Sequence, residues 1–172
     1  MHHPSINNVH LHTGQPGAPL RSAVKPSGVF ELLVNEHRRA IDLLQRAATE
    51  GHEARRTSWP SLRRQLLSHE RAEALEVYAA LEGHPAARDI LAQHAAQAGE
   101  LESVIADLDN IDFDSSEWYD KLRDLVAMVE DHVRDEETEF FPRAQELLGQ
   151  AVSLELRERV VSAQREVIHT LA

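Results

Sequence analysis

Two histidines in this chain are each followed, four residues later, by a glutamate: His69 by Glu73 and His132 by Glu136. On an α-helix that spacing places both side chains on one face, one turn apart. The same face around His132 carries Trp118, Leu122, Leu125, Val129 and Phe140, and around His69 it carries Leu62, Leu66, Val77 and Ala80. Two further stretches repeat the plan with a single histidine. One reads Phe30, Leu33, Val34, His37, Ile41 and Leu44; the other reads Ala87, Leu91, His94, Ala98, Leu101, Ile105 and Leu108. Apolar stripes at three and four spacing turn inward. A fold that buries these stripes also buries four imidazoles and two carboxylates. An unpaired buried charge is costly, so the groups must meet a partner that suits them all.

Punctuation along the chain divides these stretches into helices. Ser27 is placed to cap a first helix that runs to about Glu50, with Gly51 as its stop. Gly51 to Ser58 reads as a polar connection, and Ser58 or Trp59 as the cap of a second helix with Pro60 in its first turn. Gly83-His84-Pro85 is a turn, and a third helix spans about Ala86 to Leu108. After an acidic loop from Asp109 to Ser115, Ser115 or Ser116 caps a fourth helix, which Pro142 should end or kink near Phe140. A helical pattern resumes to about Leu148, Gly149 stops it, and a last amphipathic helix of roughly Leu154 to Leu171 should pack on the outside. Residues 1–26, rich in proline and glycine and holding His2, His3, His10 and His12, read as a flexible tail ahead of a 27–172 domain. The expected fold is all-α: an antiparallel up-down four-helix bundle with an additional C-terminal helix.

Bulk properties narrow the function. With 18 basic and 29 acidic residues the net charge is −11, which opposes binding to phosphate backbones. The chain has no cysteine, so disulfides, thiolate metal sites and iron–sulfur clusters are excluded. No run approaches the roughly 18 apolar residues of a membrane span, and the N-terminus has no export pattern, so a cytoplasmic protein is expected.

If neighbouring helices alternate in direction, the polar residues share a depth. At ~1.5 Å rise per residue, His37 and His94 lie ~12 Å into their helices, and His132 lies ~24 Å along a helix descending through a bundle ~33 Å long. Any one of these histidines alone would be explained by a backbone carbonyl partner. Six polar groups in one slab instead form a nitrogen and oxygen ligand set suited to iron, manganese or zinc. A glutamate on each of two helices can bridge two metals, and open positions on iron admit O₂, peroxide or NO. His52, His84 and His169 fall in turns or off the stripe. Asp131, Asp135, Glu137 and Glu139 read as a charged outer face, and Trp59, Trp118, Phe140 and Phe141 as core, with Phe140 able to wall a ligand pocket.

The order His37, His69-Glu-Arg-Ala-Glu73, His94, His132-Val-Arg-Asp-Glu136, followed by Glu-Phe-Phe-Pro142, resembles the hemerythrin-like HHE cation-binding domain over about residues 27–150. The resemblance implies a four-helix bundle around two non-haem iron ions with a bridging oxo or hydroxo group. By position His37 and His69 would bind one iron, His94 and His132 the other, and Glu73 and Glu136 would bridge. Oxygen carriers of that family have a further histidine at the position of Ala98. Glu70, next to His69, stands where a carboxylate completes the set in some hemerythrin-like domains. The implied function is binding or sensing of O₂ or a related small molecule, or of iron itself. The alternatives are a di-iron enzyme consuming peroxide or NO, and a bundle holding zinc without redox chemistry.

Overall fold

A computed structural model describes residues 25–171, and among these every regular element is a helix. The elements are α1 (Val29–Thr49), α2 (His52–Glu73), a π-helical turn (Ala74–Tyr78), α3 (Ala79–Leu81), a 3₁₀ turn (Pro85–Ala87), α4 (Arg88–Asn110), α5 (Ser116–Asp135), a second π-helical turn (Glu136–Phe140) and α6 (Phe141–Thr170). Four long helices and a C-terminal helix are therefore present. The expected tail, with its four histidines, lies outside the described residues apart from Lys25 and Pro26.

Three boundaries differ from the sequence reading. Ser27 does not cap α1. Its backbone N–H and hydroxyl both donate to Gln145, at 2.9 and 3.3 Å, and its carbonyl accepts from the Ser153 hydroxyl at 2.8 Å. Gly28 takes the cap position with φ +59°, where a Cβ would stand 2.5 Å from Ser153 Oγ, so glycine is required there on both counts. Second, α2 starts at His52, so the expected connection from Gly51 to Ser58 is two turns of helix and Pro60 lies inside. Tertiary contacts override the proline signal: Arg55 stacks over Tyr119 at 4.9 Å, Arg56 and His52 meet Asp114, and Trp59 meets Trp118 edge-on at 5.3 Å. Third, Pro142 neither ends nor breaks the helix. It falls in the first turn of α6, directly after the π turn, where its missing N–H is tolerated. The break comes at Gly149 (φ +74°, ψ 169°), as its glycine predicts. Ser115 behaves as expected, its hydroxyl accepting from the Trp118 N–H at 3.1 Å.

The apolar core is divided in two. One cluster takes the start of α1 (Val29, Phe30, Leu33), the end of the α2–α3 rod (Val77, Leu81), Ala87 before α4, and Phe140 and Phe141. The other takes the end of α1 (Leu44), the start of α2 (Trp59, Leu62, Leu66), the end of α4 (Ile105, Leu108) and the start of α5 (Trp118, Leu122, Leu125). Leu156, Val160 and Ala163 of α6 join the first cluster, so this helix extends the core along α1 and α2. His37, His69, His94 and His132 each fall, in sequence, between residues of the two clusters on their own helix.

Leu122 is fully buried and Leu154 is 53% exposed. Leu122→Ala should destabilise the protein by about 2–5 kcal/mol, and Leu154→Ala by less than about 0.5 kcal/mol. Chemical denaturation of the two variants checks the difference; equal midpoints would contradict the core assignment.

Candidate metal centre

α1, α2, α4 and α5 each carry one histidine into the layer between the apolar clusters, and all four are buried, as are Glu70, Glu73 and Glu136. Two groups form. His37, His69, Glu73 and Glu136 present ligand-type atoms all within 4.8 Å of one another, and so do His94, His132 and Glu136. Glu136 is common to both. Its Oε2 lies 3.2 Å from His37 Nε2 and its Oε1 lies 3.2 Å from His132 Nε2, so the carboxylate spans the two groups. Glu73 Oε2 lies 3.7 Å from His69 Nε2 and belongs to the first group. Glu70 also turns inward, its Oε2 3.3 Å from His132 Nε2. Ala98 offers no ligand.

The outer nitrogens of three imidazoles are held. His37 Nδ1 lies 3.0 Å from Glu137 Oε1, His69 Nδ1 lies 2.9 Å from Glu36 Oε2, and His132 Nδ1 lies 3.4 Å from Gln97 Oε1. Each acceptor assigns an N–H to Nδ1 and leaves the Nε2 lone pair for the centre. Gln97 in turn donates to Asp135 at 3.2 Å, and Gln164 of α6 donates to Glu36 at 2.8 Å. These groups were missed from sequence. Glu137 and Asp135, read as part of a charged outer face, instead support the site. The π turn that begins at Glu136 reorients Glu137, and no spacing rule for a regular helix reveals that. Glu36 had a weak signal, being next to His37, but it serves the histidine of the neighbouring helix.

Inside, the hydrogen-bond account does not close. Both oxygens of Glu73, both oxygens of Glu136, both nitrogens of His94 and the Nε2 of His132 are buried without a hydrogen-bond partner among the described residues. The Glu136 contacts at 3.2 Å miss hydrogen-bond alignment. His37 Nε2 and His69 Nε2 face each other at 3.0 Å, so with both N–H groups held at Nδ1 either a proton or a metal cation must stand between the two lone pairs. Each orphaned group costs on the order of 1–3 kcal/mol. A metal cation accepts all of these lone pairs at once, so the residues present fit a nitrogen and oxygen metal site. His94 stacks on Phe140 at 4.8 Å and His37 on Phe141 at 5.5 Å, which keeps the second side of the layer apolar.

Without metal, protons take the cation's place. Burial would lower His37, but the carboxylates of Glu136 and Glu137 outweigh it and raise its pKa to about 9. Burial likewise opposes, and Glu136 and Glu70 overcome it to raise, His132 to about 11. Burial would raise Glu136, yet His132 and His37 hold it well below the carboxylate range. Glu73 is pushed up by burial first and then by the charges of Glu136 and Glu70. His94 is lowered by its burial.

The family model for the hemerythrin HHE cation binding domain matches residues 28–144. Comparison with curated proteins and with solved structures finds no match. No helix among the described residues is long and apolar enough to cross a membrane.

The proton substitution sets a pH dependence. His37 and His132 have folded pKa values above the ordinary 6.5, so their contribution to stability is full below that value and is lost as pH rises through about 9 and then about 11. The raised Glu73 acts in the same direction, while the lowered Glu136 contributes only above its ordinary 4.5. Chelator-treated protein should therefore melt at least about 5 °C lower at pH 10 than at pH 7, and metal-loaded protein should lose less. Thermal melts across this window check it; a flat profile for the chelated protein would contradict the proton assignment.

Proposed function

The chain belongs to the hemerythrin HHE cation-binding domain family, and from that premise we propose that it holds two metal ions, iron by preference, and uses them to bind or sense O₂, a related small molecule or iron itself. The observation that carries the proposal is the pair of carboxylates buried without hydrogen bonds among four imidazoles. Under this reading His37, His69 and Glu73 serve one ion. His94, His132 and Glu70 serve the other, Glu70 taking the place that Ala98 cannot fill. Glu136, common to both groups, would be shared by the two ions, and Glu73 would be shared as well by the family pattern. The helices run up-down-up-down, a direction supported by Tyr119 at the start of α5 donating to the carbonyl of Ala48 at the end of α1, 2.6 Å away.

Iron, when bound, would supply open coordination and a change of oxidation state; the protein supplies the rest. Glu36, Glu137 and Gln97 fix the imidazole tautomers, so the ligands need no reorganisation on loading. Phe140 and Phe141 limit water on their side of the layer. Tyr78, edge-on to Phe140 at 5.4 Å, is pushed up by burial and then by the charge of Glu73, and remains a protonated phenol at the rim.

The absence of a histidine at Ala98 favours a second reading, turnover of peroxide or NO at the same centre. Peroxide consumption faster than that of an equal amount of free iron would select it.

Protein loaded with Fe(II) without oxygen should hold two irons per chain and give a visible absorption spectrum on admission of air. One zinc, or a spectrum that stays blank, would refute the proposal. Glu136→Ala should lose two-metal loading, and retained stoichiometric iron would contradict its bridging role. Gln164→Leu, which removes only the donor to Glu36, should weaken metal affinity by roughly tenfold, within the 10–100-fold range of outer hydrogen bonds to metal ligands. Competition with a chromophoric chelator measures it.

A further inference from the structure

On the face where α6 crosses α1 and α2, a cleft of about 350 Å³ is bordered by Arg39, Arg64, Ser61, Gln65, Gln164 and Ile168. Two of its border residues, Arg39 and Arg64, are basic. The net charge is −11, and Arg46, Arg56, Arg63 and Arg71 each meet a carboxylate. Arg39 and Arg64 meet none among the described residues. Glu36 also lines the cleft, but its Oε2 is turned to His69 and Gln164, at 2.9 and 2.8 Å, and it makes no ion pair with Arg39 or Arg64.

We propose that this cleft is a binding site for a compact oxyanion, a carboxylate or phosphate group on a small molecule. Two guanidinium groups offer planar paired donors matched to such an anion. The Ser61 hydroxyl and the Gln65 amide supply further donors at the same border. The protein is acidic as a whole, so two arginines without ion pairs at one concave site make a local region able to attract an anion. The volume is that of a small-ligand pocket, too small for a macromolecular surface. Ile168, 40% exposed at the edge, can cover a short apolar portion of the ligand. The inference stands apart from the metal assignment, since no residue of the metal layer binds the anion.

Calorimetric titration of the full chain with inorganic phosphate, and separately with acetate, at ionic strength matched with chloride, tests it. Saturable one-to-one binding of either anion is expected, and which of the two binds tells phosphate from carboxylate chemistry. Arg39→Gln with Arg64→Gln should weaken it roughly tenfold or more, as expected for lost hydrogen bonds to charged groups. The charge-matched pair Arg88→Gln with Arg123→Gln, outside the cleft, should bind within about threefold of the parent. Independently of any variant, the bound anion should slow phenylglyoxal modification of Arg39 and Arg64 relative to Arg88, read by peptide mass. No saturable binding, or binding unaffected by the Arg39 and Arg64 changes, would overturn the proposal. So would binding that disappears with chelator and persists in the double variant, since the anion would then sit on the metals.

Discussion

Glu136 sits fully buried between two imidazole pairs with neither oxygen hydrogen-bonded, and the architecture around it follows from that requirement. A carboxylate in this position is tolerable only beside positive charge. Protons on His37 and His132 can supply it, and bound metal can supply it better, because metal also takes up the lone pairs of His69, His94 and Glu73. Four helices must then bring their stripes to one depth, and the apolar core must part into two clusters to admit the layer. The bundle is thus a support for a polar plane, with Trp118 and Leu122 sealing one end and Phe30, Phe140 and Leu156 the other.

The two halves of the layer are chemically unequal. His37 and His69 back onto carboxylates, Glu137 and Glu36, whose negative charge favours a strongly charged cation. His132 backs onto a neutral amide, Gln97, and His94 has no outer hydrogen-bond partner among the described residues. The first position is the more tightly braced, through Glu36 and Gln164 to α6. The second relies on Glu70 and on the packing of Phe140. Under the proposed function, a small molecule would meet the less constrained position more readily.

Much of this plane was legible in the residues. The stripes of His37, His69, His94 and His132 name the inward faces, and a uniform rise per residue brings them to one level once the helices alternate. What stayed hidden depends on departures from regular geometry or on partners distant in sequence. Glu137 is off the stripe of a regular helix, and its contact with His37 is made from within a π turn. Gln164 lies 128 residues from Glu36, and no local pattern connects them. The start of α2 was misplaced because Pro60 is a strong local signal, whereas the stacking of Arg55 and the burial of Trp59 that overrule it are tertiary.

The two π turns are related features. One begins immediately after Glu73 and the other at Glu136, so each His-x-x-x-Glu pair is followed by the same irregularity. A π turn adds a residue to the helical circuit and is uncommon away from functional sites. Here it lets two adjacent side chains face inward together, Val77 with Tyr78 and Phe140 with Phe141, all buried. Each π turn thus sets an apolar pair just beyond a buried glutamate, a cover for a carboxylate that needs a proton or a metal cation beside it.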